Sequence, residues 1–369
     1  MKISEIVGFL DAWAPPSLAE DYDNVGLLVG NPELEISSIL VCLDVTEEVI
    51  NEAVLRACNL IVAHHPFIFK GLKKLTGSNW VERTVLSAVE NKIAVYAIHT
   101  NLDNLIGGVN SEIARRLNLK NIKILRPKKS NLEKWVTYIP EAYAQSLKSA
   151  LFAAGAGNIG NYSDCSFQMD GVGTYKPLKG SEPFNGVVDE RSEEKEIRIE
   201  VIARKQNAKS VFKALIENHP YEEVAYEQIE LKNTDQSVGA GLIGDLEVEM
   251  PIGDFFGLLG QAFNQNMIRH SETLNEMVKR VALCGGSGSF LIEDAKSAGA
   301  QAFVTSDIKY HDFFEADKRI VLCDIGHYES EQFTSELIAA HLKRNFGNFA
   351  VLLTEVSTNP IFYTPWPKN

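Results

Sequence analysis

The chain has 369 residues, 45% of them hydrophobic and 23% charged, with a formal net charge of -13. That length exceeds the size at which a single core stops growing, so more than one domain is expected. The acidic balance, without clustered Lys and Arg, argues against a general nucleic-acid binder. No apolar run approaches 20 residues, no charged and apolar leader opens the chain, and the five cysteines show no CxxC spacing. The expectation is a cytoplasmic protein that does not enter a membrane.

In chain order, Ile6, Phe9, Leu10 and Trp13 carry the spacing of one helix face over Ile3 to Trp13, and Pro15-Pro16 ends it. The acidic stretch Glu20-Asp21-Tyr22-Asp23 reads either as a solvated turn or as the rim of a site. Ile39 to Leu43 reads as a strand, Thr46 to Cys58 as a capped helix, and Leu60 to Ala63 as the next strand, which makes a parallel βαβ unit. That strand runs straight into His64-His65-Pro66. Neighbouring side chains on a strand face opposite ways, so one core cannot satisfy both histidines, whereas a strand end opening onto metal can use both. A helix near Trp80 to Glu90 and a short strand, Ile93 to Ile98, deliver His99-Thr100-Asn101-Leu102-Asp103. Gly107-Gly108 then opens a helix with Val109, Ile113 and Leu117 inside.

From about Lys128 to Asp235 the texture changes. Strand-like Trp135 to Ile139, helical Glu141 to Ala154, a Gly, Asn and Ser loop from Gly155 to Gly173, and a charged loop from Glu182 to Lys195 precede an alternating strand, Glu196 to Ala203. Helix Ala208 to Asn218 and strand Val224 to Leu231 follow. Strand, helix, strand repeated twice suggests a ferredoxin-like α+β insert. His219, after the second helix, reads as a cap.

Beyond the insert, strand Val281 to Cys284 leads into Gly285-Gly286-Ser287-Gly288-Ser289, a tight turn or a weak phosphate-cradle signal. Helix Phe290 to Ala298 and strand Ala302 to Thr305 come next. His311 follows that strand and reads either as an acid/base or orienting residue in the same cleft or as a surface residue. Strand Arg319 to Ile325 delivers Gly326-His327-Tyr328-Glu329-Ser330-Glu331. The two halves repeat one pattern, a His-x-x-x-carboxylate after a third strand, so an α/β host domain with pseudo-twofold βαβ-type halves is expected around the insert. The boundaries are 1–127, 128–235 and 236–369.

A His and a carboxylate four apart in a helix share a face and can grip one ion. Each such pair alone reads as a surface ion pair or cap. With the double histidine and the repeat, the reading is a site of mixed nitrogen and oxygen donors large enough for two metals, suited to Zn, Mn, Fe, Co or Ni.

These residues resemble the Nif-three-like dinuclear metal proteins, often labelled GTP cyclohydrolase 1 type 2 homologs. The matching pieces are Asp23-Asn24-Val25-Gly26-Leu27, Ala63-His64-His65-Pro66, His99 to Asp103, Thr305-Ser306-Asp307-Ile308-Lys309 and Gly326 to Glu331. In the insert, Gly160-Asn161-Tyr162, Gly171-Val172-Gly173-Thr174-Tyr175 and His219-Pro220-Tyr221-Glu222-Glu223 look like the PII/CutA-like module of longer bacterial members. The resemblance implies metal ligands His64, His65, Asp103, His327 and Glu331, with Glu331 as the bridge and His99 moved from ligand to a supporting role. The spacing itself leaves Asp103 and Glu331 as alternative bridges. The resemblance further implies two divalent ions per chain and a ring-like homohexamer. Two functions follow as expectations: a metal-dependent hydrolase of a nucleotide or related compound, its substrate unnamed, or a non-catalytic metal-binding regulatory protein acting through the insert.

Overall fold

A computed structural model describes residues 1–273 and 277–364; the expected second half of the host, 236–369, thus includes eight positions outside the described residues. In chain order the elements are α1 (Ile3–Trp13), β1 (Gly26–Val29), β2 (Ile39–Cys42), α2 (Glu47–Leu55), β3 (Leu60–Ala63), α3 (Trp80–Glu90), β4 (Ala94–Ala97), α4 (Thr100–Asp103), α5 (Val109–Arg116) and β5 (Lys120–Lys128). Then come β6 (Leu132–Pro140), α6 (Glu141–Ala153), β7 (Ser166–Tyr175), β8 (Ser192–Arg204), α7 (Ala208–Glu217), β9 (Tyr226–Leu231), β10 (Asp235–Pro251) and α8 (Ile252–Phe263). The last are β11 (Arg269–His270), β12 (Met277–Ser287), α9 (Ile292–Ser297), β13 (Ala302–Ser306), β14 (Val321–Asp324), α10 (His327–Glu331), α11 (Thr334–Asn345) and β15 (Val351–Leu353). The fold is mixed α/β.

The chain divides into two compact units, Met1–Arg126 with Val238–Asn369, and Pro127–Ser237. The larger unit holds two mixed sheets. In the first, ordered β1-β4-β3-β2-β15, the strands β15, β2, β3 and β4 run parallel and β1 is antiparallel at the edge. In the second, ordered β11-β14-β13-β12-β10-β5, the parallel block is β12, β13 and β14, flanked by antiparallel β10 and β11.

The central strands are apolar on both faces because both faces are covered. Ile39, Val41, Leu60 and Val62 enter a core shared with the second sheet and with α1, α5, α8 and α11. Their neighbours Leu40, Cys42, Ile61 and Ala63 pack outward against α2 and α3. The second sheet repeats this division: Val281 and Leu283 face the shared core, while Ala282 and Cys284 face α9. Period-two alternation thus sends each strand into two cores, which is why these runs read as unbroken hydrophobic segments. Full burial of each such aliphatic side chain contributes about 1.5–3 kcal/mol.

The smaller unit is one antiparallel sheet ordered β7-β8-β6-β9, with α6 and α7 packed on Ile197, Ile199 and Val201. Here the expected loop from Gly155 to Gly173 is corrected: its second part begins β7. Strand β7 is exposed on nearly its whole length and its alternation is diluted by two glycines, so no hydrophobic pattern marks it. Likewise the expected charged loop ends earlier, at Ser192, where β8 begins. Elements β1, β5, β10, β11, β15 and α8 are additions that the sequence pattern does not single out.

Leu60 is fully buried at the start of β3, the strand that ends at the two histidines. Leu60→Ala is expected to cost about 2–5 kcal/mol. A urea titration followed by circular dichroism would show a lower midpoint, and an unchanged midpoint would contradict the shared-core packing.

Candidate metal centre

Both parallel blocks end at one place, and their carboxyl ends carry the polar residues of the site, as open parallel sheets generally do. His64 and His65 extend β3, their amides still bonded to the Cys42 and Leu43 carbonyls of the neighbouring strand at 3.2 and 2.9 Å. His99 follows β4, Asp103 ends α4, and His327 and Glu331 begin and end α10 after β14.

Each histidine is held at one nitrogen. The His64 Nδ1–H donates to the Ile98 carbonyl (2.8 Å), which leaves Nε2 as the lone-pair atom. His65 Nδ1 bonds Asp44 (2.7 Å), His327 Nδ1 bonds Asp307 (2.7 Å), and His99 Nδ1 bonds Asp23 (2.9 Å). An acceptor behind each imidazole fixes ring orientation and raises donor strength at the other nitrogen, the arrangement found behind metal-ligating histidines. Ser287 donates to Asp307 and Thr358 donates to Asp44 (2.7 Å), which holds those carboxylates in turn.

At the centre lies Glu331, only 2% exposed. Its Oε2 accepts from His65 Nε2 (2.9 Å) and stands 3.1 Å from His327 Nε2. Its Oε1 is 3.9 Å from His64 Nε2, which in turn is 3.7 Å from Asp103 Oδ1. The ligand atoms therefore fall into two groups that share Glu331, namely His64 with Asp103 and His65 with His327; His99 joins His64 and His65 in a third.

Charge and burial conflict here. Burial lowers the His64 pKa to about 4, so the ring is neutral. Burial also opposes protonated His65, but hydrogen bonds to Asp44 and Glu331 outweigh it and raise its pKa to about 10. His327 rises to about 11 against its own desolvation, through Asp307 and Glu331. For Glu331, burial is the largest influence and pushes upward, yet the close His327 and His65 rings hold the carboxyl well below its usual range. Asp103 goes the other way: burial first, then the Glu331 charge, drive it well up.

Two buried donor atoms, His64 Nε2 and Asp103 Oδ1, have no hydrogen-bond partner. An orphaned buried nitrogen lone pair costs several kcal/mol in an apolar medium, and these two atoms face each other beside Glu331. The donor set of neutral imidazole and carboxylate fits a divalent cation. These groups can hold a metal ion.

Above them opens a cavity of about 690 Å³ within the larger unit, walled by aromatic side chains including Tyr22, Phe69, Trp80 and Phe290. Glu20 and Tyr22 line it and Asp23 orients His99, so the acidic stretch belongs to the rim of the site. The Gly-rich turn also belongs here. Gly286 has φ +59°, and a Cβ there would stand 2.5 Å from Glu331 Oε1; a Cβ on Gly288 would come within 2.6 Å of Cys284 Cβ. Glycine at 286 permits the close approach of β12 to Glu331, and glycine at 288 lets the chain turn tightly over Cys284 and Thr305.

His311 lies elsewhere: it begins an exposed 3₁₀ turn, its ring against Tyr310 and Phe314, and it does not line the cavity. A position several residues past a strand end, with a turn between, has no register that points it back. Cys284 is buried and also forms part of the cavity wall. The sequence reading missed Asp44 as a group behind His65. The available signal was its place two residues past β2, matching that of His65 past β3.

No helix among the described residues is long and apolar enough to cross a membrane. A family profile described as Duf34/NIF3 (NGG1p interacting factor 3) matches residues 1–360. A Bacillus subtilis protein named GTP cyclohydrolase 1 type 2 homolog is 36% identical over 97% of this chain and 98% of its own length. A Staphylococcus epidermidis protein of the same name is 34% identical over 98% of this chain and all of its own. Among solved structures, a Bacillus cereus protein related to NIF3 superposes with a TM-score of 0.86 at 34% identity, covering 99% of each chain. A Staphylococcus aureus protein does so at 0.78 and 32%, again over 99% of each. With a profile match over nearly all its length and relatives above one-third identity from end to end, this chain belongs to the Duf34/NIF3 family.

Proposed function

We propose that this chain is a dinuclear metal-dependent hydrolase of a nucleotide or a related heterocyclic compound. The observation that carries the reading is the division of donors around Glu331: His64 and Asp103 on the side of Oε1, His65 and His327 on the side of Oε2. In this reading those five residues are the ligands, Glu331 is the bridge, and two ions of Zn, Mn, Fe, Co or Ni are held per chain. Such a pair supplies charge stabilisation and a water of lowered pKa for hydrolytic attack.

The chain's own residues do the rest. His99, fixed at Nδ1 by Asp23 and lining the cavity, takes or gives a proton at Nε2. Asp23, held at about pKa 2 by His99 and Thr100 against its burial, stays ionised and keeps the ring oriented. Tyr22, Trp80 and Phe290 hold a planar ring and keep bulk water from the floor.

The same proposal includes the organisation into 1–127, 128–235 and 236–369, a pseudo-twofold host, and a cytoplasmic homohexamer. Parallel β2-β3-β4 in one sheet, extended there by β15, and parallel β12-β13-β14 in the other support the pseudo-symmetry. The order β7-β8-β6-β9, joined strand-helix-strand-strand-helix-strand, supports a ferredoxin-like, PII/CutA-like insert. Five free cysteines support a reducing compartment. The alternative, a non-catalytic regulatory protein, draws its support from a separate cavity in the smaller unit.

Elemental analysis of protein purified without chelator is expected to give about two ions per chain, falling in His65→Ala and Glu331→Ala. The loaded protein should then hydrolyse at least one compound in a nucleotide and phosphoester panel. No bound metal after reconstitution would sink the metal reading, and full loading with no turnover would favour the regulatory one.

Metal uptake must displace the protons that His65 and His327 hold without it, because each has a raised pKa. Apparent metal affinity is therefore expected to rise between pH 6 and pH 8. Calorimetry in buffers of different ionisation enthalpy should register net proton release; pH-independent binding would contradict the ligand set. Asp44→Asn keeps the shape behind His65 but removes the charge, and a loss of about 10–100-fold in metal affinity is expected in a chelator competition.

A further inference from the structure

The smaller unit contains a second cavity, of about 730 Å³, at the end of its sheet. Two segments prominent in the sequence, Gly171-Val172-Gly173-Thr174-Tyr175 and Tyr221-Glu222-Glu223, meet in its lining, although neither takes part in the metal centre. Its floor is the sheet face turned away from α6 and α7. Gly171 pairs directly with Glu196, and Tyr138 with Arg198, and directly paired residues share a face.

The two glycines on this floor are not required by the backbone, since neither has a positive φ. A Cβ on Gly171 would meet nothing closer than the Glu196 carbonyl oxygen at 3.9 Å, so internal packing does not require glycine there either. At Gly173 a Cβ would lie 2.2 Å from the Glu196 carboxylate, which rests on the bare backbone. Glycine inside a strand weakens it; Gly173 makes room for the chain's own Glu196, but at Gly171 the chain itself gains nothing, and the vacated space serves something that approaches from outside.

The lining defines what that is. Phe184 and Tyr221 stand 5.7 Å apart between ring centroids, with Tyr175 beside them in the wall. The Tyr221 hydroxyl donates to Glu196 Oε1 (2.9 Å), which presents the carboxylate to the aromatic wall. His219 fixes this side: its Nε2–H donates to the Tyr138 carbonyl (3.0 Å) and its Nδ1 accepts the Tyr221 amide (3.2 Å), so it pins the turn rather than capping α7. The two cations in the lining are engaged outside it, Arg198 with Glu200 (2.8 Å) and Lys176 with Asp189 (3.9 Å). Among the described residues, no Lys or Arg pairs with Glu196, Glu222 or Glu223.

We propose that this cavity binds an organic ammonium cation, its charge against Glu196 and its carbon frame against the rings of Tyr175, Phe184 and Tyr221, over the Gly171 backbone. Aromatic faces joined to unpaired carboxylate favour an alkylammonium group over an anion or a neutral ligand. The bare strand lets the ligand lie flat on the sheet.

The test is calorimetric titration of the full, metal-loaded chain with spermidine and, separately, with choline. Saturable binding of one of them is expected, one per chain. It should weaken by about tenfold or more in Glu196→Gln and vanish in Gly171→Leu, which fills the floor, while metal content stays at the wild-type value. His65→Ala should leave amine binding unchanged, so failure of the metal reading and failure of this one are distinguishable. Absence of saturable binding by both amines overturns the proposal, as does binding that survives both cavity variants. A change in molar mass of Gly171→Leu by light scattering, with no amine bound by wild type, would assign the cavity to a seam between copies and overturn it equally.

Discussion

The buried carboxylate of Glu331 is the constraint on which the larger unit depends. A carboxylate at 2% exposure is tolerated only when its oxygens are satisfied, and this one is surrounded by His64, His65 and His327. Each of those rings is in turn held from behind, by the Ile98 carbonyl, Asp44 and Asp307 respectively. The polar network therefore grows outward in shells from one carboxylate, and each shell fixes the orientation of the one inside it. What the network leaves open is specific: His64 Nε2 and Asp103 Oδ1, both buried, both unpartnered.

The apolar architecture exists to bring the parts of this network together. Glu331 and His65 are separated by 266 positions in the chain, yet they are 2.9 Å apart. Two parallel blocks that share one core, each covered on its outer face by its own helices, bring their carboxyl ends to that distance. Close approach then demands the absence of side chains at the one strand that would obstruct it. Gly286 meets this demand on β12, where a methyl group would collide with Glu331.

The parts of this design that are local in sequence were legible in it. Short apolar runs bounded by polar or helix-starting residues gave β2, β3, β4, β13 and β14 close to their observed limits, and α1 and α3 at those limits. The residues that directly follow β3 and β14 were then legible as the polar heart of a site. Long-range polar geometry was not. Asp44 carries no motif of its own beyond its place after β2, and its role emerges from being 2.7 Å from a ring whose strand lies beside its own. His311, left open by the sequence between the cleft and the surface, is a chemically suitable residue that a 3₁₀ turn carries to the surface. Strand β7 escaped because exposure on both faces and two glycines erase the alternation that identifies a strand.

The segment after β15 ties the end of the chain to the chemistry at its middle. Thr358 donates to the oxygen of Asp44 that His65 does not use, and Asn359 Nδ2 donates to Glu329 (3.2 Å), within α10 itself. Thr358, Asn359, Pro360 and Ile361 also form part of the wall of the metal cavity. The Asp44 carboxyl is held below its usual range, against its burial, by bonds to both His65 and Thr358. One aspartate thus serves two partners: it sets the ring that faces Glu331, and it anchors the strap that narrows the cavity. Because a carboxylate offers both oxygens at once only when ionised, the position of the strap and the donor strength of His65 depend on the same charge. The cavity wall and the ring that faces Glu331 are in this way fixed by a single residue, contributed by neither of the histidine-bearing segments.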